Sequence, residues 1–208
     1  MSAQNRHKLA EGEKVFIRFP VASDRDEWCS LWDASWSFLE PWMPRPPEGA
    51  TGEAGERFDR LIETADTPEN QRHVICRQSD SAIVGMVNLT QIFRGPFCNA
   101  IMGYWVGEAF ARSGYTGEGV RLVLGRAFGE LGLHRVEANV VPTNQASIAL
   151  VRRVGFREEG YSPRYLEIAG AWQDHVRFAI TAEDWVELRG RQQNEQTGET
   201  PVPPRNQP

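Results

Sequence analysis

Cysteine is scarce in this chain of 208 residues: Cys29, Cys76 and Cys98 are the only three. An odd number without metal-ligand spacing argues against a disulfide framework and against a cysteine metal centre, so reduced thiols in a cytoplasmic setting are expected. A surplus of positive charge is also missing. Lys and Arg total 23 against 28 Asp and Glu, a net charge of −5, so direct binding of nucleic acid is not expected. No run of 18 apolar residues occurs, which leaves no candidate membrane span. The opening "MSAQNRHKLAEGEK" has no apolar core, so no secretion signal is expected there. There is no internal repeat. From Arg189 onward "RGRQQNEQTGETPVPPRNQP" holds one aliphatic residue, Val202, and no periodicity. Such a segment buries too little surface to order itself, so 189–208 is expected to be a disordered tail behind a single domain over 1–188. The rest is ordinary for a globular protein, with 40% hydrophobic and 25% charged residues.

What is present is strong periodicity. "KVFIRF" (14–19) alternates as a first strand, and Pro20 ends it. Ser23 or Asp24 then starts a helix over "DRDEWCSLWDAS", with Trp28, Leu31 and Trp32 on one face. "WSFLEPWMPRPPEGATGE" reads as an aromatic-rich loop, followed by a helix over 53–65. "RHVICRQ", "AIVGMVNLTQIFRG" and "NAIMGYWVG" are three strands of an antiparallel meander. Val120, Val123, Leu124, Ala127, Phe128 and Leu131 form the stripe of a helix packed on a sheet. "HRVEANVV" is a strand. "TNQASIALVRRVGF" is a helix that starts at Thr143 or Asn144, with Gly155 just past its end. Two strands, around 157–168 and 172–181, close the series. The order β-α-α-β-β-β-α-β-α-β-β predicts a mixed α/β sheet flanked by helices, largely antiparallel, and not the repeated β-α-β of a doubly wound fold.

Before the third helix stands "FARSGYTGEGV", with Gly114, Gly117 and Gly119. It lacks the Lys of a P-loop and the glycine order of a dinucleotide fingerprint. Two readings remain: a loop that wraps a pyrophosphate with backbone amides at a helix N-terminus, or a glycine-rich turn that only connects strand to helix.

The stretch "GYWVGEAFARSGYTGEGVRLVLGRAFGELGLHRVEANVVPTNQASIALVRRVGFREEGY" resembles the GCN5-related N-acetyltransferases, and within them the branch that acetylates the N-terminal alanine of ribosomal proteins. The family's pyrophosphate loop reads Q/R-x-x-G-x-G/A. Here it is Ala111-Arg112-Ser113-Gly114-Tyr115-Thr116, with the central glycine in place, Ala first and Thr last. "VVPTNQASIALVRRVGF" matches the family segment P-x-N-x-x-S followed by G-F. "FLEPWMP", "NLTQIFRGPF" and "GYSPRYLEIAGAWQDHVRFAITAEDW" extend the resemblance over residues 14 to 185.

The resemblance implies direct attack of an amine on the thioester of acetyl-CoA, without a metal. The first-choice acceptor is a protein N-terminus, ribosomal in the branch resembled. A small amine or antibiotic, or a CoA-binding module without turnover, stands as the alternative. The assembly is expected to be a monomer or a homodimer. An α-amine with a pKa near 7.8 is about 10–15% neutral at pH 7, whereas a lysine near 10.4 is about 0.04% neutral, so an N-terminal acceptor needs little help from a base. Cofactor contacts are expected from Arg112, Ser113, Gly114, Tyr115, Thr116 and Gly117, and from the backbone at Trp105 and Val106, the latter holding the thioester carbonyl. Asn144 is expected to bond the pantetheine, with Thr143 capping the helix. Ser147 is the expected proton donor to the thiolate. "RVEANVV" puts Glu137 and Asn139 on one strand face; Glu137 is the candidate base, directly or through water, and Asn139 lines the acceptor cleft. Trp36, Phe38, Trp42 and Asp174 are expected on the acceptor side.

Overall fold

The computed structural model describes residues 7–44 and 50–197. In chain order the elements are β1 (Ala10–Glu11), β2 (Val15–Arg18), α1 (Arg25–Leu39), α2 (Ala54–Glu63), β3 (Asp66–Thr67), β4 (Asn70–Arg77), β5 (Ile83–Phe93), β6 (Asn99–Val106), α3 (Tyr115–Phe128), β7 (Arg135–Val140), α4 (Gln145–Val154), β8 (Arg157–Ile168), β9 (Ala171–Thr181) and α5 (Ala182–Thr197). Every element expected from periodicity is present. Two-residue strands β1 and β3 and the terminal helix α5 are additional.

The strands form one sheet in the order β1-β2-β4-β5-β6-β7-β9-β8, with β3 on β4. The meander β4-β5-β6 is antiparallel, as alternation and turn residues predict. The β6–β7 pair is parallel, because α3 carries the chain back across one face before β7 begins. Helices cover both faces. Val120, Val123, Leu124 and Ala127 of α3 and Ile148, Val151 and Val154 of α4 pack on the side of Val15, Ile17, Ala100 and Met102. Trp28, Trp32 and Leu39 of α1 and Phe58 and Leu61 of α2 pack on the side of Phe16, Val74, Met86 and Trp105. Close approach of α3 to the sheet depends on Gly119, where an added Cβ would stand 2.8 Å from Ile75 Cδ1. Val120, Val123, Leu124 and Ala127 of the stripe read from sequence are buried on α3, while Phe128 is half-buried and Leu131 lies past the helix end.

Three local expectations are corrected. First, α1 does not stop before Trp36 but runs to Leu39, and Glu40–Trp42 is a single 3₁₀ turn. Trp32, Ser35 and Leu39 hold the extra turn by burial, which outweighs the turn character of the following prolines. Second, Asn144, not Thr143, caps α4: its Oδ1 accepts Ser147 N–H at 3.1 Å. Third, α5 continues from Ala182 to Thr197, into the segment expected to be tail. Trp185 and Leu188 of α5 pack against the core, which anchors the helix; residues 198–208 lie outside the described residues. Gly155 takes the left-handed conformation (φ +111°) at the end of α4, as its position predicts.

Candidate active site

The site begins where two strands part. β6 and β7 pair at three positions only: Asn99 with Arg135, Ala100 with Val136, Ile101 with Glu137. Beyond Ile101, β6 continues to Val106 beside β5, and β7 continues to Val140 beside β9. The parallel neighbours thus splay toward their C-terminal ends. Gly107 N–H donates to Val84 O at 2.9 Å. Bonded pairs recur at every second residue of an antiparallel ladder, so the N–H groups of Tyr104 and Val106 point away from β5, into the splay.

Because both strands run in one direction, the helix that follows each starts at the same end of the sheet. Crevices at the C-terminal ends of parallel strands are where open α/β sheets bind ligands. On one side lies the loop entering α3. Gly114 is its left-handed residue (φ +84°) and Arg112 also has positive φ (+62°). A Cβ at Gly114 would meet only Lys14 Nζ, at 3.7 Å, so the space above this backbone is open. The first-turn amides of a helix have no intrahelical acceptor. Those of Tyr115, Thr116 and Gly117, with Arg112, Ser113 and Gly114, make a ready anion cradle at a positive helix end. Arg112 and Lys14 add charge, and Lys14 Nζ reaches Ser113 O at 3.5 Å. Glu118 does not oppose an anion there: its carboxylate accepts the Lys14 N–H at 3.0 and 3.2 Å.

On the other side of the splay lies the start of α4. Ser147 Oγ is 2.5 Å from Tyr104 Oη, a hydrogen bond from α4 to β6 across the splay. Burial pushes the Tyr104 phenol up to about 12, although its bond with Ser147 pulls the other way. It therefore stays protonated throughout the neutral range. With Asn144 Oδ1 used as the helix cap, the Asn144 Nδ2 group is the part available to a ligand. Tyr104 escaped notice in the sequence; the signal was strand alternation, which sets it on the α4 face, opposite Trp105.

The α1–α2 face of the same strands carries the other half. Trp105 is buried among Trp28 and Trp32, edge-on at 5.7 and 5.3 Å. Its side chain is core, and only its backbone neighbours the splay. Glu137 is 7% exposed and fully engaged. Oε1 accepts Arg135 Nε (3.0 Å) and Asn99 Nδ2 (3.3 Å), and Oε2 accepts Arg177 Nη2 (2.5 Å). Burial would raise its pKa, but the hydrogen bonds from Arg135 and Arg177 more than offset this and hold the carboxyl below its usual value. A base that must take a proton from an ammonium needs the opposite shift. This geometry argues against the expected role of Glu137 as base, since its carboxylate is committed to the two arginines. Arg177 Nε in turn donates to Asn139 Oδ1 (2.5 Å), and Asn139 Nδ2 to Tyr165 Oη (3.3 Å).

Trp36 and Trp42 are half-buried and Phe38 is 38% exposed. The chain after α1 reaches the last hairpin, where Ala169 N–H donates to Met43 O (3.2 Å) and Pro44 bridges Ile168. The contacts at Met43 and Pro44 bring the end of this segment to the last hairpin, while Trp36 packs against Trp32 and Arg57. Asp174 does not join these aromatics. Along β9 it shares the face of Val176 and Phe178, which pack on the α3–α4 side. It is tied to Tyr161 Oη and to Arg164 N–H. His175 is on the acceptor face but 2% exposed, with Nδ1 against Gln173 O, and burial lowers its pKa. Among the described residues there is no cluster of His, Cys, Asp and Glu arranged to hold a metal, and no helix is long and apolar enough to cross a membrane.

Comparison with known proteins agrees with this geometry. Residues 14–157 match the model of an acetyltransferase (GNAT) domain. The Bacillus subtilis protein named "Probable N-acetyltransferase YjcK" is 33% identical over 178 residues, 85% of this chain and 98% of that protein. The [Ribosomal protein uS5]-alanine N-acetyltransferase of Escherichia coli is 30% identical over 84% of this chain and 91% of its own. The solved structure of Mycobacterium smegmatis RimJ in complex with CoA-disulfide superposes with a TM-score of 0.76 at 30% identity, covering 86% of this chain and 89% of that one. A domain match over most of the chain, with relatives covered nearly end to end, makes this chain a member of the GNAT acetyltransferases, an acyl-transferring enzyme of Rim-type resemblance.

Proposed function

We propose that the enzyme transfers the acetyl group of acetyl-CoA to the N-terminal α-amine of a protein, with a ribosomal protein as the first candidate. The observation that carries the acetyl-CoA part of this reading is the splay, with its open amides on β6 and a positive helix end on either side; the N-terminal acceptor is supported by the likeness to the [Ribosomal protein uS5]-alanine N-acetyltransferase of Escherichia coli. The amide cradle at Arg112–Gly117 suits a pyrophosphate, and the slot between β6 and β7 suits an extended amide-bearing arm, so the residues present fit CoA. Bound there, acetyl-CoA supplies an activated thioester.

The chain's own groups divide the work. Val106 N–H is aimed to hold the carbonyl oxygen as negative charge develops on it. Nucleophilic nitrogen adds to the carbonyl carbon, the carbon–sulfur bond breaks, and the sulfur needs a proton. Ser147 Oγ–H can give its proton to sulfur while Tyr104 Oη–H passes its own to Ser147 Oγ, and Tyr104 regains a proton from water. The amine's surplus proton leaves to water, since Glu137 is engaged and an α-amine is already partly neutral at pH 7. Asn144 Nδ2 and the cradle position the cofactor, while Trp36, Phe38, Trp42 and Asn139 border the incoming chain.

The test is CoA release from acetyl-CoA with a panel of Ala- and Ser-starting peptides against polyamines and aminoglycosides. Turnover of at least one peptide with the highest kcat/KM of the panel is expected. Turnover confined to the small amines would replace this reading, and no CoA release with any amine would refute catalysis altogether.

A further inference from the structure

On the acceptor face, beside the aromatic core, one row of the sheet is polar. Arg72 of β4 pairs with Asn88 of β5, and Asn88 with Gly103 of β6. Residues directly opposite in a ladder share a face. That face is fixed by Val74, Met86 and Trp105, one alternation further along the same three strands, which pack on α1 and α2. Gly103 is exposed in the middle of the sheet, and a Cβ there would meet nothing within 4 Å among the described residues. It is therefore the floor of an opening, two residues from the splay.

Two polar atoms in this row are buried and unpaired: Arg72 Nε and Asn88 Oδ1 have no hydrogen-bond partner among the described residues. Arg72 makes no ion pair among the described residues, and burial alone pulls its guanidinium below its usual value. A partly buried cation and carboxamide left unsatisfied are costly to the folded protein, unless a ligand completes them. The missing partners have a definite chemistry. Arg72 offers only donors, and Asn88 holds an unused acceptor. One ligand group that carries an acceptor and a donor side by side is a peptide unit. A polyamine brings donors and like charge toward Arg72, and a carboxylate brings no donor for Asn88.

Resting on the acceptor reading above, the geometry points to Arg72 and Asn88 as a specificity subsite that takes a backbone peptide group of the acceptor, carbonyl to Arg72 and N–H to Asn88. The subsite selects polypeptide N-termini over polyamines.

The experiment is steady-state acetylation of a short Ala-starting peptide, and of two derivatives each N-methylated at one of its first two peptide nitrogens, by wild type, Arg72→Gln, Arg72→Lys and Asn88→Ala. Loss of one charged hydrogen bond predicts a ten- to hundredfold rise in peptide KM for Arg72→Gln, on the order of the cost of such a bond. Acetyl-CoA KM should not rise with it and the melting temperature should not fall, which separates the role from a structural one. Arg72→Lys, which keeps the charge but not the planar fork, should lie between. N-methylation at one position should raise KM in wild type and add nothing in Asn88→Ala. Peptide turnover with KM unmoved in both Arg72→Gln and Asn88→Ala overturns the subsite alone. No peptide turnover by wild type overturns the acceptor reading and the subsite together. Should Arg72→Gln fail to fold, Arg72→Lys and Asn88→Ala decide on the same readouts.

Discussion

Replacing Glu137 by Gln tests whether this carboxylate organises the cleft or removes a proton. The substitution keeps shape and removes the charge between Arg135 and Arg177. Removing one partner of a fully buried ion pair costs about 3–5 kcal/mol. Here the cost is smaller. Arg135 keeps Glu159 as a partner, and the Arg177 side chain is 31% exposed, where water screens the unpaired charge. We expect about 2 kcal/mol, which for a chain of this size lowers Tm by about 4–8 °C. Acidification sets the sign. Glu137 has a depressed pKa in the folded state, so its contribution is present above the unfolded carboxyl value near 4.3 and is lost as pH falls through the folded value. The Tm difference between wild type and Glu137→Gln should therefore be full at pH 7 and shrink once pH drops below about 4. Catalysis should fall by less than about tenfold, through looser placement of Arg177 and Asn139. A general base contributes roughly 10²–10⁴. An unchanged Tm together with a loss of about 100-fold or more in kcat, and disappearance of the acidic limb of the pH–rate profile, would falsify the organising role and restore Glu137 as base.

Ser147→Ala should lower kcat by about 10–100-fold with little change in acetyl-CoA KM; a wild-type rate in a CoA-release assay rules out the proton-donor role. Tyr104→Phe should lower kcat in the same assay and cost about 1 kcal/mol of stability, since Ser147 loses its hydroxyl partner; because burial raises the Tyr104 phenol to about 12, the wild-type rate should show no tyrosine limb near pH 10. Gly114→Val forces a branched side chain into a left-handed site and fills the cradle, so calorimetric titration should show loss of CoA binding; unchanged affinity contradicts the loop assignment. Asn144→Ala removes the α4 cap and should cost about 1 kcal/mol in thermal melts while also weakening CoA, whereas a pure cap would leave CoA affinity alone.

Much of the fold was legible because it rests on local periodicity. The spacing of Val120, Val123, Leu124 and Ala127 could belong only to a helix with one buried face, and Gly155 sits where a helix needs a left-handed stop. Where the reading slipped, tertiary burial overrode local signals. Trp36 to Leu39 precede prolines, yet Leu39 is pulled into the core and the helix persists. Trp185 and Leu188 anchor α5, whose later residues are polar enough to read as tail. Thr143 and Asn144 are both able to cap, and only the turn geometry chose between them.

The site divides along the same line. The glycine loop, Asn144 and Ser147 lie in contiguous motifs and were legible as such, whereas their partners Lys14 and Tyr104 come from distant stretches of sequence. Glu137 is held by Arg135, two residues away on the same strand, and by Arg177, 40 positions away, and the second ion pair exists only through the β7–β9 register. Arg72 and Asn88 carry no motif of their own and drew no reading from the sequence. Alternation alone determined that each faces away from the α3–α4 core. Strand pairing decided that they stand side by side over Gly103, because hydrogen-bonded register, unlike periodicity, is a relation between distant parts of the chain.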